Sequence, residues 1–454
     1  MIFYAPAFLA FFFVFLVGLA LVPQGAARTW YVLVASFVFY AWWYPPYLAI
    51  LIGLSVLGYV GGLAVAARPR FLPALIVLLI LPLAVFKYAG FLVANVEALL
   101  GVTIAFDASW ALPLGISFMT FTVISYVVDV RRGILTPEPR FREVGLFAAF
   151  FPHLVAGPIL RGRELLPQLR TIYISRGMLR FGALLFAVGA AKKVVLADGI
   201  APTVDAIYGS TGPLNSGQAL LALYGFTAQI YLDFSGYTDM ALGLAAIIGV
   251  RLPRNFNRPY LAGSVREFWR CWHMTLSRWL RDYIYIPLGG NRHGFLRMLL
   301  ALVITMLLGG LWHGASWTFV LWGGVHGSVM ALEQVKRRLA PSWVLPSWLR
   351  RLLTLHFVAL AWILFRAHDL PHVGKVLSGI TAPTDWAAFA SVTAWPLILV
   401  AVAAAVHPVD TAARVRLLSR RLPRGVLFTL VAATLMVCAA LSIGNPGTFI
   451  YFDF

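Results

Sequence analysis

Apolar runs of about 15–22 residues, long enough to cross or nearly cross a bilayer, recur along this chain from one end to the other. A run such as "MLLALVITMLLGGLW" (298–312) lacks the polar face that a helix on a soluble core would carry. Charged residues make up only 12% of the 454 residues and the mean hydropathy is +0.84, against about 25% charged residues in soluble domains. The chain is therefore read as all-α, a polytopic membrane protein. Twelve runs lie near 5–22, 30–44, 47–66, 72–94, 110–128, 181–200, 217–248, 297–312, 316–334, 352–366, 393–407 and 425–443, and about eleven are expected to cross.

The first run has neither a basic n-region nor an A-x-A-like site, so it is expected to be a retained span rather than a signal peptide. The formal net charge of +19 would suggest nucleic acid in a soluble protein. Here the basic residues stand between apolar runs, which points to cytoplasmic loops facing anionic lipid, with no nucleic-acid partner. On the same rule the loops around Arg28, Arg68/Arg70, Lys336–Arg351 and Arg414–Arg424 are cytoplasmic, while 367–392 and both termini face outside. No internal repeat is visible, which weakens a transporter built on inverted repeats. Cys271 and Cys438 offer neither a disulfide framework nor a metal cluster, and no metal ligands are expected.

Polar residues in apolar surroundings carry the functional signal. His313 ends a long apolar run and is followed by "GASWTFVLWGG"; ionisable residues inside membranes commonly mark functional sites. Gly309, Gly310, Gly314 and Ala315 around it allow close approach of backbones. His326 reads as a packing histidine. Segments 144–160 and 264–288 read as re-entrant or interfacial. In the first, Pro152 and Pro158 bracket His153, a broken helix that needs protection by protein or a water-filled cavity.

In 264–288, Ser264 and Glu267 form a capping box, and Pro287 with Gly289–Gly290 stop the helix. At helical spacing Phe268, Trp272, Leu276, Trp279 and Tyr283 share one face, and Arg266, Arg270, His273, Ser277 and Arg281 another. That pattern suits an interfacial amphipathic helix or the lining of a polar cavity that receives an anionic ligand. Asp233 and Asp239, in "YLDFSGYTDMALG", fit either a proton relay or a structural polar network. The loop "RLPRNFNRPYL" (251–261) reads as turns set by prolines and asparagines. There is no G-x-S-x-G elbow, Walker loop, HExxH or CxxC. A histidine without a nucleophilic partner points to direct transfer, the base taking a proton from an acceptor hydroxyl.

Several motifs together resemble the membrane-bound O-acyltransferases, and among them the bacterial alginate O-acetylation branch: "FVFYAWWYPPYL" (37–48), "FFPHLVAGPILR" (150–161), "DFSGYTDMALG" (233–243), the stretch 255–292, "GGLWHGASWTFVLWGGVHG" (309–327) and the terminal "FIYFDF". The resemblance implies one integral-membrane domain over 1–454, with N-terminal helices (1–130), a catalytic core (about 144–335) and C-terminal helices (350–454). Some eleven spans would surround a thinned centre crossed by a tunnel. The family's invariant histidine falls on His313, and its second histidine, an asparagine in eukaryotic relatives, on His273. Trp312, Trp272, Arg266, Arg270, Arg281 and Asp233 are expected to line the substrate path. The resemblance implies an acyl thioester donor, acetyl-CoA or an acyl-carrier phosphopantetheine, as substrate with no resident cofactor, and a hydroxyl acceptor. It also implies a bacterial inner-membrane setting. Expected partners are membrane lipids, a periplasmic SGNH-type acetyltransferase or a polysaccharide synthase complex, and a cytoplasmic acyl carrier. D-alanyl transfer of the teichoic-acid type and peptidoglycan O-acetylation are the alternatives within the family; a transporter or flippase is the alternative outside it.

Overall fold

A computed structural model of the chain describes residues 3–107, 110–155, 157–443 and 450. Every one of the twelve apolar runs forms helix, and no strand occurs among the described residues. Five described helices are long and apolar enough to cross a bilayer: Pro45–Ala67, Pro69–Leu100, Phe295–His313, Ser347–Arg366 and Arg424–Leu441. A sixth follows if Thr393–Val409 and Ala412–Arg421, which meet at 78°, count as one span. Length and composition thus support fewer full spans than the eleven expected. Pro6–Leu21 and Ala26–Ala41 have 16 residues each, about 24 Å at 1.5 Å per residue against a core near 30 Å. The 181–200 run is divided between Arg176–Ala190, a wide π turn at Ala191–Ala197, and Asp198–Gly209.

The chain divides into two compact units built from interleaved segments. The first comprises the described residues of 1–187, 238–253 and 416–446. Its Ile116–Arg131 helix is buried from Ile116 to Val130. Gly62 of Leu48–Ala67 makes that packing possible: a Cβ there would lie 2.6 Å from the Tyr126 ring. The expected break in 144–160 is present at Phe150, between Phe141–Ala149 and the four-residue Phe151–Leu154. His153 is fully buried with Nε2 3.3 Å from the Phe147 carbonyl oxygen.

The second unit comprises the described residues of 188–237, 254–415 and 450. Its centre is the hairpin of Phe295–His313 and Trp317–Leu339, joined by three residues. Ser316 caps the start of the second helix, its Oγ accepting from the Thr318 N–H at 3.3 Å. A Cβ on Gly310 would lie 2.2 Å from the Phe319 carbonyl oxygen, and one on Gly323 2.2 Å from that of Met306. Those reciprocal approaches place the two backbones antiparallel and nearly touching.

Segment 264–288 departs from the single amphipathic helix expected. It forms two seven-residue helices, Val265–Cys271 and Met274–Leu280, followed by a π turn at Arg281–Tyr285. Trp272 is extended and His273 left-handed, with φ of 39°. Arg266 and Arg270 therefore precede the break, Ser277 and Arg281 follow it, and the five residues do not form one helical stripe. Ser264 caps as expected, accepting from the Glu267 N–H at 3.0 Å. The Glu267 carboxylate accepts from Gly263 N–H at 2.8 Å, one residue before the position a capping box would use.

Candidate active site

His313 is the last residue of Phe295–His313, and it is buried because helix, hairpin turn and a third helix converge there. Its imidazole stands edge-on to the rings of Trp312, Trp322 and Phe365, with centroids 4.8, 5.1 and 5.1 Å away. Trp322 comes from the hairpin's second helix and Phe365 from Ser347–Arg366. Gly314 is needed at the turn: a Cβ there would lie 2.1 Å from the Phe319 ring. An aromatic wall of this kind keeps bulk water from a reacting centre.

His273 reaches the same place from a different part of the chain. It is fully buried, 4.8 Å from the Phe234 ring and 5.9 Å from that of Trp312. The Trp312 indole thus contacts both histidines. Asn255 holds the backbone at the break. Its carbonyl oxygen accepts from the Met274 N–H at 2.9 Å. Its side-chain Oδ1 accepts from the Thr275 N–H at 3.1 Å and the Thr275 hydroxyl at 2.7 Å, and lies 3.3 Å from His273 Nδ1.

The remaining expected residues scatter. Trp272 is buried in an aromatic cluster, 5.0 Å from both Phe256 and Trp362 and stacked on Phe268 at 5.5 Å. Arg266 is half-buried; its pKa is lowered by burial and by the neighbouring Arg270 and Arg337. The Glu333 carboxylate accepts from the Val265 and Arg266 N–H groups at 2.7 and 3.2 Å. Arg270 is exposed. Arg281 is exposed and bound by Asp282 at 2.6 Å, which raises its pKa. Asp233 is buried in an ion pair with Lys193 at 2.6 Å and accepts from the Ile450 N–H at 2.8 Å, while Lys193 also meets Asp198 at 2.7 Å. His326 is a packing residue: fully buried, its Nδ1 accepts from Trp269 Nε1–H at 3.3 Å. Of "FIYFDF", Ile450 alone lies within the described residues.

Asn255, Phe234, Trp322 and Phe365 join the site without a sequence expectation attached to them. Phe234, Asn255 and Trp322 lie within motifs that carry the family resemblance. From sequence, the loop around Asn255 reads as turns set by its prolines and asparagines. A buried asparagine in such a loop carries no local mark that separates it from a turn-former. Among the described residues, no set of three or more His, Cys, Asp or Glu side chains converges as a metal ion would require.

Comparison with known proteins identifies the family. The model of the membrane-bound O-acyltransferase family (MBOAT) matches residues 135–368, which include both histidines and Asn255. The chain is 40% identical to the "Probable alginate O-acetylase AlgI" of Azotobacter vinelandii, over 85% of this chain and 79% of that protein. It is 35% identical to the "Peptidoglycan O-acetyltransferase" of Helicobacter pylori, over 78% and 73% of the two chains. With the "Teichoic acid D-alanyltransferase" of Bacillus subtilis the identity is 26%, over 57% and 70%.

Proposed function

Because the chain belongs to the membrane-bound O-acyltransferase family, we propose that this multi-pass membrane enzyme, an O-acyltransferase, moves an acetyl group from a cytoplasmic thioester to a hydroxyl of an exported polysaccharide, with His313 as the general base. The observation that carries the reading is the meeting of His313 and His273 at Trp312 inside an aromatic wall. The preference for acetyl and for a polysaccharide rests on the similarity to alginate O-acetylases over most of the chain.

In this reaction a ring nitrogen of His313 takes the acceptor's hydroxyl proton as the oxygen attacks the thioester carbonyl. The tetrahedral intermediate collapses with cleavage of the C–S bond. The departing sulfur takes the proton back from the imidazolium, leaving an ester and a free thiol. Exclusion of water by Trp312, Trp322 and Phe365 limits hydrolysis of the thioester. His273 orients the reactants or shares the proton. Arg266 and Arg270 hold phosphates of the donor, coenzyme A or a carrier-bound phosphopantetheine, through charge-assisted bonds. The enzyme works in the bacterial inner membrane beside a periplasmic SGNH-type acetyltransferase or a polysaccharide synthase. The similarity to a peptidoglycan O-acetyltransferase over 78% of the chain favours peptidoglycan as the second acceptor to test.

The experiment is thiol release from acetyl-CoA by the purified protein, with oligouronates or muropeptides as acceptors. His313→Ala should lower turnover by at least about 10²-fold, the usual scale for losing an acid–base group, with unchanged membrane expression. Near-normal turnover in this variant overturns the assignment of the base.

A further inference from the structure

The geometry points to Asn255 as a positioning residue that holds His273 in one tautomer, with the proton on Nδ1 and the lone pair on Nε2. The inference deepens the reading above, since it rests on His273 serving the transfer reaction.

The argument starts from the amide's orientation. A backbone N–H can only donate, and the Thr275 N–H lies 3.1 Å from the Asn255 side chain. The atom facing it must therefore be the amide oxygen; the flipped amide would set donor against donor. The Thr275 hydroxyl donates to the same oxygen at 2.7 Å. His273 Nδ1 lies 3.3 Å from it. An amide oxygen has no proton to give, so this contact is a hydrogen bond only when Nδ1 carries the hydrogen. In a neutral imidazole the proton on one nitrogen leaves the other as acceptor. Asn255 thereby turns Nε2 into the proton-accepting atom.

The backbone reinforces the choice. His273 sits at φ of 39°, a conformation that costs a non-glycine residue energy and persists where surroundings impose it. The Asn255 carbonyl takes the Met274 N–H and its side chain takes the Thr275 N–H. One residue thus fixes both the break in the chain and the ring orientation that the break presents. The Phe234 and Trp312 rings flank the imidazole and limit its rotation.

The test reads the tautomer directly. Nitrogen-15 NMR of histidine-labelled protein, with His273 assigned by its loss in His273→Asn, should show Nδ1–H in the unaltered enzyme. Asn255→Leu, similar in volume but without the acceptor, should lose that preference and lower kcat about tenfold or more with donor KM little changed. A wrong tautomer costs about 10⁴-fold in kcat where a histidine is the sole base. Asn255→Asp keeps the acceptor oxygen and should restore both the tautomer and most of kcat. Thr275→Val removes one bond to the same oxygen and should lower stability while leaving the tautomer intact. Nε2–H in the unaltered enzyme overturns the inference even if Asn255→Leu fails to fold. A folded Asn255→Leu with kcat within twofold of normal does so as well. The tautomer is read without turnover, so failure of the His313 assignment would show up separately.

Discussion

At the scale of single residues, the two histidines differ in what holds them. His313 meets rings contributed by two other positions of the hairpin and by Ser347–Arg366. His273 is held by a polar side chain, Asn255. Hydrogen bonding can be kept at position 273 by a neutral amide, so His273→Asn should retain more turnover than His273→Ala. Equal and complete loss in both would assign His273 true acid–base chemistry. The arginines also separate. Arg266 is half-buried beside Arg270 and Arg337, whereas Arg281 is exposed and already bound by Asp282. A charge-assisted bond is worth roughly 1.5–3 kcal/mol, and about 1.4 kcal/mol is one decade of affinity. Arg266→Gln and Arg270→Gln should thus raise donor KM about tenfold and leave acceptor KM nearly alone, while Arg281→Gln does little. Steady-state kinetics with each substrate varied in turn checks this; unchanged donor KM in the first two returns them to a membrane-interface role.

At the scale of elements, the site depends on the hairpin's close crossing. Gly310 and Gly323 each face backbone atoms, Phe319 and Met306 carbonyl oxygens at 2.2 Å from a would-be Cβ. Backbone cannot yield as a side-chain tip can. Gly310→Ala and Gly323→Ala should each destabilise by about 1–3 kcal/mol, the usual cost of overpacking. They should also lower turnover, since His313 lies one turn beyond Gly310. Gly324→Ala is the control, because its Cβ would meet the end of the Leu307 side chain at 3.3 Å. Thermal unfolding in detergent measures all three, and a wild-type Tm for Gly310→Ala would contradict the crossing. The hairpin was legible in the sequence as two apolar runs joined by small residues. The break inside 264–288 was not. No proline or glycine marks Trp272–His273, and local spacing favours one continuous helix. The bonds from Asn255, far back in the chain, outweigh that preference.

At the scale of the whole molecule, the distribution of basic loops predicts which segments face the cytoplasm. Ser342, between Trp317–Leu339 and Ser347–Arg366, and Thr381, after Leu370–Gly379, are both exposed. In a background lacking Cys271 and Cys438, Thr381→Cys should react with an impermeant thiol reagent in intact cells. Ser342→Cys should react only after the membrane is permeabilised. The reverse pattern would invert the orientation and with it the side from which the donor enters.

Membrane class and helical content could be derived from the sequence, and His313 could be singled out there as a candidate, because each follows from local properties. An uncharged run must become helix to satisfy its backbone in lipid, and an ionisable residue within such a run stands out whatever surrounds it. Tertiary structure decided which residues meet. The apolar runs specify helices but not their partners, so nothing local joins His273 to His313 through Trp312, or Phe365 to either. Nor does spacing show that Asp233 is bound by Lys193, or that Asn255 faces inward to a histidine instead of closing a turn. Those pairings come from side chains far apart in the chain that find hydrogen bonds and ring contacts once the helices have packed, and a polar residue's role then depends on the partner it meets.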